Sequence, residues 1–143
     1  MQTLVYYVKR SSSGTTTSLY RRIFDGDNAA GLEQELIEGV ENMQLRYGVD
    51  TTVPDPDGIV DDYVVAKGAT AATSVTDWNK VVAVRVGLLM RSAVPVEGDV
   101  SVAASVPVNG VTVTFPTAGP TVRPYDRRVF TSTMAVRNKI SYF

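Results

Sequence analysis

The chain has 143 residues, with 14 Lys+Arg, 15 Asp+Glu and a formal net charge of −1. It contains no His and no Cys, which removes the usual general base, thiol nucleophiles, disulfides and zinc–thiolate or iron–sulfur sites. A metal would have to be a hard cation on oxygen ligands, and the balanced charge leaves no electrostatic footprint for nucleic acid.

The length fits one domain over 1–143, large enough to bury a real core. No apolar run approaches the roughly 20 residues of a membrane span, and Met1-Gln2-Thr3-Leu4 does not have the form of a signal peptide. In chain order, Thr3–Lys9 is rich in aromatic and β-branched residues and reads as a strand. Ser11–Thr17 is a polar loop, and Ser18–Phe24 returns as the second strand of a hairpin. Asp25-Gly26-Asp27-Asn28 then offers a cap. Ala29–Ile37, with Leu32 and Leu36 at i, i+4, is the one stretch predicted as a helix.

From Met43 the period becomes two. Met43, Leu45, Tyr47 and Val49 share a face, which predicts a strand with one buried side. Asp50–Gly58 is a turn-rich insertion, Asp61–Val65 a short edge strand, and Ala69–Asp77 a polar connection. Val81–Arg91 is the strongest strand, and its length and composition predict a central position. Its even residues, Val82, Val84, Val86, Leu88 and Met90, are wholly apolar and are the expected core face. Trp78, just before it, is expected to plug the core.

Val100–Phe115 is a hairpin about Asn109-Gly110, the pair favoured in type I′ turns. A two-residue turn places Val108 opposite Val111, Val106 opposite Val113 and Ala104 opposite Phe115, all on one face. Pro107, with no N–H, marks a sheet edge. The last element runs from Arg127 to Asn138. The fold class is therefore α+β and β-rich: mainly antiparallel sheets with one short helix.

Three blocks carry a resemblance to a known family. They are Glu35–Asp50, Trp78 with Val81–Ser92, and Arg127–Asn138; the hairpin with Tyr6-Tyr7-Val8 and Ser18–Arg22 precedes them. In this order they resemble PilW-type minor pilins of type IV pili. The resemblance implies a pilin-like globular head similar to the J-type minor pseudopilins of type II secretion. It also implies a structural, non-enzymatic role in initiating pilus assembly, with a place at the pilus tip. The implied partners are other minor pilins and tip components, and no cofactor follows from it. The implied location is the periplasmic face of the inner membrane before assembly, then the pilus surface. In the family a leader and a long hydrophobic helix precede the head. Neither is in this chain, so a membrane contact would come only through that helix, and the chain is expected to be a head fragment. A second departure is Thr51-Thr52-Val53-Pro54, inserted before an Asp-Gly turn.

Two sets of residues are candidates for function. Asp55, Asp57 and Asp61 fall at the third, fifth and ninth positions of a calcium loop, but Val53 and Val64 occupy its two end-ligand positions. That spacing favours a solvated turn over a calcium site. Tyr6 and Tyr20 on the first hairpin, with Pro107 and Val111 on the second, are the candidate partner contacts. Cross-strand aromatic pairing explains the tyrosines equally well. Arg21-Arg22 and Arg127-Arg128 point to opposite strand faces, so neither pair forms one anion site. The alternative function is an adhesin-like β-rich module that binds a surface glycan or protein.

Overall fold

A computed structural model describes residues 2–25, 30–97, 104–115 and 125–136. The strands are β1 (Thr3–Arg10), β2 (Thr17–Phe24), β3 (Leu32–Glu38), β4 (Val40–Val49), β5 (Asp62–Val64), β6 (Val81–Arg91), β7 (Ser105–Val108), β8 (Val111–Thr114) and β9 (Arg127–Ala135). They form sheets ordered β1-β2-β3, β5-β4-β6-β9 and β7-β8. The chain divides into two compact units, Met1–Met43 with Leu88–Phe130 and Gln44–Gly87 with Thr131–Phe143. Strands β4, β6 and β9 contribute residues to both.

Of the helix expected over Ala29–Ile37, Ala29 lies outside the described residues and Leu32–Ile37 belongs to strand β3; among the described residues helical structure is limited to 3₁₀ turns at Ala71–Thr73 and Trp78–Lys80. The i, i+4 spacing of Leu32 and Leu36 also suits a strand when a partner edge is present. Here β2 supplies that edge, pairing Ile23 with Leu32 and Arg22 with Glu33. Glu33 and Glu35, two apart, then use a polar period of two to reach side chains on β1, β2 and their loop. Tertiary pairing overrides a short helical signal.

In the first unit the hairpin β1–β2 has an unbroken antiparallel register from Thr3↔Phe24 to Arg10↔Thr17. The loop between them closes with Ser11 N–H donating to the Thr16 carbonyl at 3.0 Å. β7–β8 has the expected register, Val108↔Val111 and Val106↔Val113. Asn109 (φ 50) and Gly110 (φ 81) are both left-handed, as a type I′ turn requires. Phe115 N–H donates to the Ala104 carbonyl, extending the pairing by one rung. The expected start of this hairpin at Val100 lies outside the described residues, as do Arg137 and Asn138. Among the described residues of this unit, Tyr20, Val40, Leu89 and Val108 are the buried apolar ones.

In the second unit Val49, Val64, Val75 and Val81 form the core, with Tyr47 and Val136 packed on it. β5 is the short edge strand expected, pairing Tyr47↔Val64 and Val49↔Asp62.

Strand β6 has neighbours on both sides, as expected, but its more buried face is the odd one. Val81, Ala83, Gly87 and Leu89 are buried, while Val82, Val84, Val86, Leu88 and Met90 are only half-buried. Small residues allow close packing on the odd side, and its two arginines are covered by rings. Arg85 stacks on Tyr63 at 3.6 Å and Arg91 on Tyr125 at 4.1 Å. Leu45 on β4 is likewise exposed, so the face expected to be buried there is only partly so.

Candidate interaction surfaces

The sheet β1-β2-β3 has two chemically different faces. On one, Tyr7 and Tyr20 are paired across the strands with rings stacked at 6.0 Å. Glu33 accepts hydrogen bonds from Tyr7, Lys9 and Arg22, the last at 2.8 Å. The Lys9 ammonium, then the Tyr7 hydroxyl, hold the Glu33 carboxyl down at about 2, while Tyr7 and Lys9 are both raised. Glu35 is lowered chiefly by the Ser12 hydroxyl. The opposite face carries Leu4, Ile23 and Leu32 in one rung, Tyr6, Arg21 and Gln34 in the next, and Val8 with Leu19 and Ile37 in a third. Leu4, Tyr6, Leu32 and Ile37 are exposed there.

Beneath this sheet's loop, Glu41 of β4 takes a two-pronged bond from Arg127 (Nε to Oε2 2.6 Å, Nη2 to Oε1 3.1 Å) and sits 3.9 Å from Arg91 Nε. All three side chains are less than one-fifth exposed. Phe115 covers the Arg127 guanidinium at 4.0 Å, and Arg91 Nη2 donates to the Thr15 carbonyl at 3.0 Å. A cleft of about 210 Å³ lies beside Arg91, lined also by Thr16, Glu38, Gly39, Ser92 and Tyr125. Gly39 has φ +90, and a Cβ there would lie 2.9 Å from the Arg91 carbonyl oxygen, so this turn requires glycine. The Arg127–Glu41 pair is thus a shielded ion pair, with both side chains largely withdrawn from solvent.

In the second unit the acidic loop is laced by its own carboxylates. Asp50, 1% exposed, accepts from Thr52 N–H and Gly58 N–H at 3.0 and 2.7 Å. Asp61 accepts from Thr51 N–H and Oγ1 at 2.7 and 2.8 Å, which lowers its pKa. Asp57 accepts from Ile59 N–H, and Asp55 is exposed. Among the described residues no three acidic groups converge on a point that could hold a metal. Trp78 is not the expected core plug. It is 55% exposed, opens the Asp77-capped 3₁₀ turn that precedes β6, and meets Tyr47 edge-on at 5.0 Å.

Residues 5–138 match the family described as type IV pilus-assembly protein W, PilW. The chain belongs to the PilW family. No curated protein and no solved structure matches it.

On this PilW-family chain the four candidate contact residues differ in access. Tyr6 is 46% exposed and Tyr20 only 5%, so Tyr6 is the ring presented to solvent while Tyr20 anchors the sheet. Pro107 is exposed and Val111 half-buried, both on the two-stranded sheet. The shielded group of Glu41, Arg91, Arg127 and Tyr125 was not legible in the sequence. Its members lie tens of residues apart, and each alone looks like a surface side chain. No helix of the described residues is long and apolar enough to cross a membrane.

Proposed function

We propose that this chain is a structural minor pilin subunit that takes part in initiating type IV pilus assembly and is carried at the pilus tip. Its work is done by surfaces, and its partners are other minor pilins and tip components. It meets them at the periplasmic face of the inner membrane and remains with them on the pilus. The observation that carries this reading is the family match over nearly the whole chain, joined to a β1 edge that no described residue pairs, with Leu4, Val5 and Tyr6 exposed on the strand. The contacts assigned are the first hairpin through Tyr6, with the buried Tyr20 holding that hairpin in shape, and the second through Pro107 and Val111. Co-purification with the heads of other minor pilins tests it. Complexes should survive gel filtration, and deletion of the gene should reduce piliation. Intact piliation together with no complex would sink the idea.

The half-exposed Trp78 supports a second reading, an adhesin-like module for a surface glycan. A glycan array separates the two: saturable binding lost in Trp78→Ala or Tyr6→Ala favours the adhesin.

A further inference from the structure

We infer that strand β1 is a self-association edge, and that two copies of this chain pair through it antiparallel, with Tyr6 on the two-fold axis. The inference rests on reading the first hairpin as a contact surface, and it does not depend on the assembly role. β1 pairs with β2 alone among the described residues, and none of them pairs with its other side. The phase of that side follows from the hairpin loop. Ser11 N–H donates to Thr16, and Ser11/Thr16 continue the register in which Lys9 faces Ser18 and Tyr7 faces Tyr20. Hydrogen-bonded pairs alternate in an antiparallel ladder. The odd residues of β1 therefore spend their backbone groups on β2, while Leu4, Tyr6 and Val8 aim theirs outward. The side chains of these same three residues lie on the apolar face of the sheet, and Leu4 and Tyr6 are exposed.

Proteins usually blunt such an edge with charge, proline or a bulge. The β1 register has no shift, and the strand has no proline and no acid. Its two cations are turned away from the edge: Lys9 is bound to Glu33, and Arg10 donates twice to the Gly14 carbonyl. The other edge of the same sheet differs. β3 carries Glu33, Glu35 and Glu38 within seven residues, so self-pairing there would bring carboxylates together.

Two-fold pairing requires outward residues to meet outward residues. With Tyr6 opposite Tyr6 of the second copy, Leu4 meets Val8 and Val8 meets Leu4, apolar on apolar. Lys9 then falls opposite Thr3, and the two Lys9 side chains lie about 20 Å apart along the strands, beyond the screening length at physiological salt. The closed two-fold contact stops at two copies.

Sedimentation velocity of the 143-residue chain over a concentration series tests this. The mass should rise from 15.5 kDa to twice that value. Tyr6→Lys places two ammonium groups at the axis, and Tyr6→Pro removes an outward N–H that β2 does not use. Each should weaken the dimer at least tenfold, with the far-UV spectrum kept, whereas Leu36→Lys on β3 should leave it unchanged. Since the chain has no Cys, Tyr6→Cys supplies a single thiol, at a paired Cα spacing of about 5.5 Å that a disulfide spans. Oxidation should cross-link Tyr6→Cys and leave Gln34→Cys uncoupled. A monomer at every concentration overturns the inference and leaves the assembly role to the piliation assay. Species larger than two copies also overturn it, by assigning the edge to head-to-tail pairing.

Discussion

In the unit built from 44–87 and 131–136, four valines and a tyrosine pack against one another, and the deeply buried charge, Asp50, serves its own loop. In the unit built from 1–43 and 88–130, Leu89 and Val40 are buried, and a carboxylate is shared by two arginines, each covered by an aromatic ring. The first arrangement is non-directional and tolerates volume-conserving exchange. The second needs each partner in place, because a shielded charge that loses its counterion keeps the desolvation cost.

That contrast sets the order of expected losses. Glu41→Gln leaves two covered guanidiniums without their carboxylate and should cost about 3 kcal/mol, read as a lowered urea midpoint with unchanged slope. Val81→Ala in the aliphatic core should cost about 2 kcal/mol, while Val81→Ile, which adds one methylene, should cost about 1 kcal/mol. If Glu41→Gln proved as mild as that one-methylene exchange, the distinction between the two units would collapse. Gly110→Ala, forced to φ 81, should cost about 1 kcal/mol in the β7–β8 turn.

The smallest effect is a pH dependence. The Glu33 carboxyl titrates near 2 in the folded chain against 4.5 when free, so its contribution is present above 4.5 and is lost as the pH falls towards 2. Lys9 is raised, so its share persists below its free value of 10.5 and is lost as the pH rises through the higher folded value. Thermal melts from about pH 5 to pH 2 should show this acid-sensitive component, and Glu33→Gln should remove it. The component is small because the group is solvent-exposed.

Much of the β framework could be read from residue order, for identifiable reasons. Asn109-Gly110 sets a two-residue turn, and the alternating valines around it determine the register. The polar loop Ser11–Thr17 likewise separates two runs rich in aromatic and aliphatic residues. Strand β3 was illegible because a seven-residue segment with leucines four apart satisfies both periods, and only the edge of β2 decides between them. The buried side of β6 was illegible for a different reason. Hydropathy assigns an arginine to water, whereas Arg85 and Arg91 are covered by rings contributed by distant segments. The contact residues were half legible: an aromatic strand pair marks a hairpin, but only the register shows that Tyr6 faces out and Tyr20 in.

The acidic loop between β4 and β5 is tied at its neck. Asp61 N–H donates to the Val49 carbonyl, and Asp50 and Asp61 gather the backbone amides of Thr51, Thr52 and Gly58. The pairing of Val49 with Asp62 is therefore independent of what lies farther out, between Val53 and Asp57. A fluorophore, an affinity peptide or extra residues placed at that tip would report on the molecule without shifting either strand. The tip is also where sequence can drift at little cost to the sheet beneath it.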